Sequence, residues 1–294
     1  MNKPNGRLGV WAALDTYSYD EIGEFARRVE QLGYNTLWVP DAAGRDSFVV
    51  LAHIAHCTST LWGATGIANL YARDAMAMKS ARYALAELSG GRFILGLGVS
   101  HVEMVSGVRQ HDYGKPLSTM GAYLEAMEAA LYVAKEPANK GLLLLAALRE
   151  KMLELAGTAA DGAHPYLVTP AHTARAREIV GEGKYLVPEQ KVLLENDPAK
   201  ARDIGRKAMA ANLGLRNYQA NLLSLGFNER DFADGGSDHL VDSLIAWGDE
   251  AAIAARIQAH WDAGADQVCI QALRHDGQVG FDLPTLERLA HLAE

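Results

Sequence analysis

Short apolar runs alternate with amphipathic helical patterns along this 294-residue chain, and no other feature restricts its possible folds as strongly. Such alternation is typical of parallel β-strands joined by helical crossovers. Eight strands are predicted, over Leu8 to Leu14, Thr36 to Val39, Leu61 to Ala68, Phe93 to Gly98, Leu142 to Ala147, Asp161 to Leu167, Val192 to Glu195 and Gln267 to Ala272. Eight such strands favour an α/β fold of the (β/α)8 TIM-barrel type. An open doubly wound sheet with a small helical domain is the alternative.

Helix signals lie between the predicted strands. The capping-box pattern Ser18-x-x-Glu21 begins a helix that Gly33 ends. Further helices are predicted over Asp46 to His56, Asp74 to Leu88, Pro116 to Ala134 and Glu250 to Ala263. The stretch from Ala199 to Trp247 is too long for one crossover helix, so we expect two or three extra helices there, before the last strand. No linker divides the chain, and residues 1–294 are expected to form a single barrel domain with a helical insertion at about 199–247.

Composition limits the classes of partner. The chain has 28 Lys and Arg against 36 Asp and Glu, a net charge of −8, which argues against nucleic acid or an anionic membrane and favours a small-molecule substrate. With only Cys57 and Cys269, no disulfide framework is expected, and a reducing compartment is indicated. The first apolar run is too short for a signal peptide and is broken by Asp15, so a cytoplasmic location is expected.

The segment from Ser89 to His101 carries the sharpest local signals. A glycine pair ends the preceding helix, and Phe93 begins an apolar run typical of a buried strand. Gly96 and Gly98 are two residues apart, so they lie on one face of that strand and leave room for a flat ligand. The purely structural alternative is that these two glycines mark a bend in the strand or tight packing against a helix. A dinucleotide fingerprint is the weaker alternative, because His101 stands where the third glycine belongs.

In a TIM barrel the active site lies at the carboxyl ends of the strands. This rule draws attention to polar residues that follow predicted strands, namely Asp15, Asp41, Asn69, Ser100, His101, Arg149, Lys151, His164 and Tyr166. A metal-dependent barrel hydrolase is the rival from another reaction class. It is disfavoured because the first strand offers no histidine, and His53 and His56 are predicted to lie away from the mouth. We expect no metal site.

Three stretches together resemble a known family. They are Leu37-Trp38-Val39-Pro40-Asp41, then Thr65-Gly66-Ile67-Ala68-Asn69 with Arg73, and above all Leu88 to Gly98. The chain resembles the luciferase-like monooxygenase superfamily, and within it most closely the branch of coenzyme F420-dependent oxidoreductases. Asp161-Gly162 and the stretch Asp262 to Asp266 extend the resemblance over nearly the whole chain.

The resemblance implies a barrel that holds a flavin or deazaflavin ring at its mouth, and a homodimer. It implies a non-proline cis peptide at Gly66-Ile67 behind the ring. The aspartate of the family after strand two corresponds to Asp41, and its acidic or polar position after strand four corresponds to His101. Asn69 and Ser100, with Gly66, Ile67, Gly96 and Gly98, are the expected coenzyme contacts.

Two positions depart from the family pattern. Some deazaflavin-dependent dehydrogenases have a histidine base directly after the strand-two aspartate, whereas Ala42 follows Asp41 here, so that role is not carried over. At strand five the family tends to have glycine near the coenzyme phosphate, whereas this chain has Ala147-Leu148-Arg149-Glu150. Arg149 is expected to pair with phosphate; the alternative is that it fills the pocket.

The resulting hypothesis is an F420-dependent oxidoreductase that transfers a hydride between the deazaflavin and a small organic substrate. His101 is the first candidate for proton transfer, because histidine titrates near neutral pH. Asp41 is expected to orient the ring or His101, and Glu103 and Tyr166 are weaker candidates on the substrate side. The alternatives are an FMN-dependent monooxygenase, which requires a reductase partner and oxygen, and a barrel that binds coenzyme or ligand without turnover.

Overall fold

The computed structural model describes residues 3–293. Its strands are β1 (Leu8–Trp11), β2 (Thr36–Val39), β3 (Trp62–Thr65), β4 (Ala68–Asn69), β5 (Phe93–Gly98), β6 (Leu142–Leu145), β7 (Gly162–Ala163), β8 (Tyr185–Leu186), β9 (Glu189–Leu193), β10 (Ile245–Trp247) and β11 (Val268–Ala272). Its α-helices are α1 (Tyr19–Gln31), α2 (Ser47–Cys57), α3 (Ala75–Leu88), α4 (Pro116–Ala129), α5 (Glu150–Ala159), α6 (Pro170–Val180), α7 (Pro198–Leu213), α8 (Arg216–Ser224), α9 (Asp238–Leu244), α10 (Glu250–Asp262) and α11 (Leu283–Leu289).

All strand pairs are parallel, in the order β10-β9-β11-β1-β2-β3-β5-β6-β7-β8, and β4 also pairs with β5. The segment 185–193, which contains β8 and β9, closes the sheet. On one side the Val187 amide donates to the Ala163 carbonyl at 3.0 Å, and on the other the Cys269 amide donates to the Pro188 carbonyl at 2.9 Å. The result is the expected (β/α)8 barrel, with β10 as an extra strand beside β9.

Successive strand residues face two different layers, as the two-residue repeat of a strand requires. One layer holds side chains from both strands and helices, such as Val10, Leu37 and Ile22, and lies between the barrel and its helices. The other layer contains strand residues such as Trp38, Trp62 and Ile94 and fills the barrel interior. Large aromatic side chains therefore fill the interior beneath the carboxyl ends of the strands.

The extra helices carry a third, smaller apolar cluster. Helices α7, α8 and α9 and the 3₁₀ segment Glu229–Gly235 lie between β9 and β10, and the cluster contains Met209, Tyr218 and Leu240 from the helices, with Leu167 and Leu273 from loops that follow barrel strands. These helices therefore pack over the carboxyl ends of the strands.

Several predicted boundaries need correction. The predicted strand Leu61 to Ala68 is two strands, β3 and β4, because the chain turns between them. The predicted seventh strand, Val192 to Glu195, begins too late, since the segment already enters the sheet at Tyr185. The strand β10 falls inside the stretch expected to be helical. Across residues 3–293 no helix is both long enough and apolar enough to cross a membrane.

Candidate active site

The backbone between β3 and β4 forms one wall of the barrel mouth. The Gly66-Ile67 peptide is cis, which confirms the expectation from the family resemblance. The indole Nε1 of Trp11, at the end of β1, donates a hydrogen bond of 3.0 Å to the Gly66 carbonyl. A side chain on Gly66 would collide with this indole. Gly66 and Ile67 remain partly exposed, so this backbone segment is accessible to a ligand at the mouth.

Gly96 and Gly98 lie on the same face of β5, as their spacing predicts. A methyl group on Gly96 would overlap the Thr65 carbonyl oxygen, and one on Gly98 would overlap the Ile67 side chain. Both glycines thus permit β3, Ile67 and β5 to approach closely. The side-chain space that they leave is taken up by protein atoms, and a role in coenzyme binding would be indirect, through the position of Ile67.

Asp41 is bound to Arg73. Its Oδ2 accepts a 2.7 Å hydrogen bond from Arg73 Nη1 and one of 3.3 Å from the Asn69 amide. The other terminal nitrogen of Arg73 donates to Asp46, which also caps α2. Asn69 is buried, and its side-chain oxygen accepts from the Tyr71 amide. The geometry therefore makes Asp41 and Asn69 organisers of the loops after β2 and β4, and their contacts with a coenzyme stay a prediction.

His101 stands at the exit of β5. Ser100 before it has a φ of +55°, and its carbonyl accepts a hydrogen bond from the Tyr113 hydroxyl. The His101 ring centroid lies 5.5 Å from that of Tyr218 on α8. Burial lowers the pKa of His101 below 6.5, and the nearby Glu103 carboxylate opposes that shift. Because its pKa is lowered, His101 is neutral at pH 7 and able to accept a proton. Glu103 itself is exposed, at the start of the π-helical segment Glu103–Val108.

Tyr166 belongs to a polar cluster that the sequence analysis missed. Its hydroxyl donates to Gln271 Oε1 at 2.8 Å and accepts from Lys191 Nζ at 2.8 Å. Lys191 Nζ also lies 3.1 Å from Glu189 Oε1, and this ion pair is 1% and 0% exposed. The alternation Glu189-x-Lys191 was the available signal, because residues two apart on a strand share a face. It was overlooked since the predicted strand began at Val192.

Two cationic side chains follow barrel strands at the same end. Arg149 is exposed and precedes α5 as its N-cap residue. Arg109 follows the π-helical segment after β5, and its Nη2 donates to the Ala42 carbonyl at 3.0 Å while its buried Nε has no hydrogen-bond partner. Within residues 3–293 neither arginine forms a salt bridge, so both are available to an anion.

Several predicted residues come together and others do not. Gly66, Tyr166 and His101 are linked into one rim by Trp11 and Tyr218. Asp41 is bound to Arg73, and Arg149 and Glu103 lie exposed. In the described part of the chain no three His, Cys, Asp or Glu side chains cluster as a metal site would require. His53 instead places Nε2 2.8 Å from the Tyr19 carbonyl oxygen.

The fold and the position of this rim define a (β/α)8-barrel protein with a site at the carboxyl ends of its strands. A family model described as luciferase-like monooxygenase matches residues 7–267. The chain belongs to the luciferase-like monooxygenase family, as its motifs indicated.

Two curated relatives match part of the chain. A Mycobacterium tuberculosis protein whose name proposes a coenzyme F420-dependent oxidoreductase is 34% identical over 119 residues, 40% of this chain and 33% of its own length. The 5,10-methylenetetrahydromethanopterin reductase of Methanolobus tindarius is 29% identical over 159 residues, 48% of each chain. The matched regions thus span between a third and a half of these relatives.

Solved structures match over nearly the full length. An F420-dependent secondary alcohol dehydrogenase in complex with an F420-acetone adduct has a TM-score of 0.77 at 13% identity, covering 98% of both chains. The oxygenating constituent of the FMN-bound 3,6-diketocamphane monooxygenase of Pseudomonas putida has a TM-score of 0.68 at 13% identity, covering 98% and 97%. At these identities the likeness establishes the fold.

Proposed function

We propose that this protein is an F420-dependent oxidoreductase that transfers a hydride between the deazaflavin coenzyme and a small organic substrate. The observation that carries the proposal is the position of His101, a neutral, half-buried imidazole at the exit of β5, within the same rim as the Gly66-Ile67 backbone. Two relatives support this choice through their names, one a coenzyme F420-dependent oxidoreductase and the other a 5,10-methylenetetrahydromethanopterin reductase.

The residues at the mouth fit a flat, anionic coenzyme. The partly exposed Gly66-Ile67 segment offers a surface of backbone and one aliphatic side chain, against which an aromatic ring system packs well. Arg109 and Arg149 offer guanidinium groups free of carboxylate partners for the phosphate and acidic tail. We therefore assign the ring to the Gly66-Ile67 wall and the charged tail to these arginines.

When bound, the deazaflavin supplies a carbon centre that accepts or donates a hydride. The protein must then handle one proton for each hydride that moves. In the direction of alcohol oxidation, the substrate C–H bond gives up the hydride, and the neutral His101 takes the hydroxyl proton as the carbonyl forms. In the direction of reduction, the protonated His101 returns that proton to the carbonyl oxygen.

Surrounding residues hold this geometry in place. The Asp41–Arg73 ion pair fixes the loop after β2 beside the strand that carries Asn69. Arg109 joins the loop after β5 to the loop after β2 through the Ala42 carbonyl. We therefore assign Asp41 to positioning the mouth loops rather than to proton transfer.

The test is an equilibrium titration of the purified protein with F420 and with FMN, each oxidised and reduced, followed by fluorescence and calorimetry. The proposal predicts binding of F420 that is at least tenfold tighter than that of FMN in both redox states. Preference for reduced FMN would assign the protein to the oxygen-using monooxygenases that depend on a reductase. Binding of neither coenzyme would leave a ligand-binding barrel without turnover.

A further inference from the structure

A closed circuit of contacts lies at the mouth of the barrel. Starting at Gly66, it passes through the Trp11 indole, whose ring centroid lies 5.5 Å from that of Tyr166. The Tyr166 ring lies 6.4 Å from the Tyr218 ring, and Tyr218 lies 5.5 Å from His101. His101 follows β5, whose Gly98 lies against Ile67, next to the starting point. We call Trp11, Tyr166, Tyr218 and His101 the aromatic rim.

The charges beneath the aromatic rim are internally compensated. Lys191 is bound by Glu189 and also donates to the Tyr166 hydroxyl and to Gln271. Its ammonium group lies 4.0 Å from the Tyr166 ring centroid. All three N–H donors of the ammonium group therefore have acceptors inside the protein. None is left to bind a substrate carboxylate. A second anion next to buried Glu189 would be disfavoured, because like charges repel strongly where water is scarce.

Tyr218 is the member of the rim that comes from outside the barrel. It lies on α8, is 8% exposed, and its ring contacts both Tyr166 and His101. Trp11 is fixed by its hydrogen bond to Gly66, and Tyr166 by its hydrogen bonds to Gln271 and Lys191. Tyr218 therefore places its ring beside His101 and between His101 and Tyr166.

We propose that the aromatic rim is the substrate subsite, that it selects neutral, planar substrates over carboxylates, and that Tyr218 sets their maximum size. This inference rests on the proposed function, since it places the substrate beside His101. Apolar planar molecules gain by stacking on aromatic side chains. A carboxylate within the rim would lose its hydration without a free cation there, because Lys191 is fully paired and because Arg109 and Arg149 are not part of the rim and are assigned to the coenzyme tail.

The test uses three probes and no turnover. Acetophenone is neutral, benzoate has a similar shape with a negative charge, and 2-acetylnaphthalene is neutral and one ring larger. Their binding to the protein is measured by equilibrium dialysis, with and without F420. We compare the wild type with Tyr218→Ala, Tyr218→Leu and Tyr218→Phe, and with Tyr132→Ala as a matched control at a tyrosine that contacts Tyr83 away from the mouth.

The wild type is expected to bind acetophenone at least tenfold tighter than benzoate. Tyr218→Ala and Tyr218→Leu are expected to bind 2-acetylnaphthalene at least tenfold tighter than the wild type does, while Tyr218→Phe and Tyr132→Ala behave as the wild type. Two truncations are used so that a folding defect in one does not decide the result. Equal affinity for acetophenone and benzoate, no binding of acetophenone, or an unchanged preference between the two ketones in folded truncations would overturn the proposal.

The coenzyme titration separates this inference from the proposed function. Selective binding of the ketones without any binding of F420 supports the subsite and contradicts the coenzyme assignment. Binding of F420 together with indifference to probe charge and size contradicts the subsite and leaves the coenzyme assignment standing.

Discussion

Arg73 Nη1 lies 2.7 Å from Asp41 Oδ2, and the side chains of the pair are 15% and 6% exposed. The same guanidinium also binds Asp46 and lies over the Phe48 ring, with 4.4 Å between Cζ and the ring centroid. One arginine therefore links the loop after β2 to the start of α2, and its charge is shared between two carboxylates.

Replacing Asp41 with alanine is expected to destabilise the protein by about 2 to 4 kcal/mol, because Arg73 loses its more buried partner. Chemical denaturation of the wild type and the variant measures this difference. The control is Asp203→Asn, which breaks an exposed ion pair with Lys207 and is expected to cost less than about 1 kcal/mol. Equal costs for the two variants would contradict a structural role for the Asp41–Arg73 pair.

His101→Ala is expected to lower turnover with coenzyme F420 by about 100-fold or more, with coenzyme affinity within about twofold of the wild type. Under the proposed function, oxidation of an alcohol substrate by the wild type should fall only below pH 6.5, because the lowered pKa of His101 keeps the imidazole neutral down to that range. This acid limb should be absent from the residual activity of the variant. His56→Ala, on the exposed surface of α2, is the control; a full acid limb in His101→Ala would remove His101 from proton transfer.

Gly96→Ala is expected to destabilise the barrel by about 3 kcal/mol or more, since the new methyl group overlaps the Thr65 carbonyl oxygen. Gly121→Ala in α4 has open space around its new methyl group and is expected to stabilise the protein by about 0.5 to 1 kcal/mol. Thermal and denaturant unfolding of the wild type and both variants measures these changes in the free energy of unfolding. A tolerated alanine at position 96 would mean that β3 and β5 separate easily.

Arg149→Ala is expected to weaken F420 binding by about 10-fold to 150-fold if the guanidinium pairs with the coenzyme phosphate. Titration by calorimetry at two salt concentrations measures the loss, which should shrink at high salt because ionic interactions are screened. Arg175→Ala, one helix away and paired with Glu150, is the matched control. Tighter coenzyme binding by Arg149→Ala would instead show that the side chain obstructs the pocket.

Acid is expected to destabilise the fold through two buried histidines. Burial lowers the pKa of His164 to about 4 and that of His260 to about 3, against about 6.5 in the unfolded chain. The unfolded state therefore binds protons that the folded state does not bind. As the pH falls from 6.5 towards those pKa values, each histidine lowers the free energy of unfolding by at most about 1.4 kcal/mol per pH unit.

Denaturation between pH 7 and pH 5 tests this prediction. His164→Gln and His260→Gln should each show a shallower dependence of unfolding free energy on pH than the wild type. His239→Gln, at an exposed position, should retain the full dependence. Identical slopes in all four proteins would assign the acid sensitivity to other groups, such as carboxylates or the buried His172, whose pKa burial also lowers.

Local patterns in the sequence predicted much of this fold. The apolar run and paired glycines gave β5 its observed bounds, Phe93–Gly98, and Ser18 and Glu21 form the expected capping box. The family resemblance, rather than any periodicity, located the cis peptide at Gly66-Ile67. These features depend on short stretches of chain, whose residue types report directly on backbone geometry.

Tyr166 was a candidate from the sequence, but the Glu189–Lys191 pair beneath it and the contact between Tyr218 and His101 depend on long-range packing and escaped prediction. Polar Glu189 and Lys191 interrupt the apolar character of their strand, because they pair with each other inside the barrel instead of with solvent. Tyr218 is one of several large residues on α8, and no local pattern shows that its ring meets His101. The arrangement of α8 over the mouth decides that contact.

Tyr218 lies on an inserted helix, so the part of the chain that would contact a substrate is distinct from the part that holds the proposed reacting groups. Strands and the short loops that follow them hold the Gly66-Ile67 backbone wall, His101, which we propose transfers the proton, and the paired Lys191. The proposed substrate surface is completed by α8, a helix inserted between β9 and β10. Its side chains can be exchanged without altering a single strand hydrogen bond, so new substrate ranges are best sought by varying α8 while the barrel is left as it is.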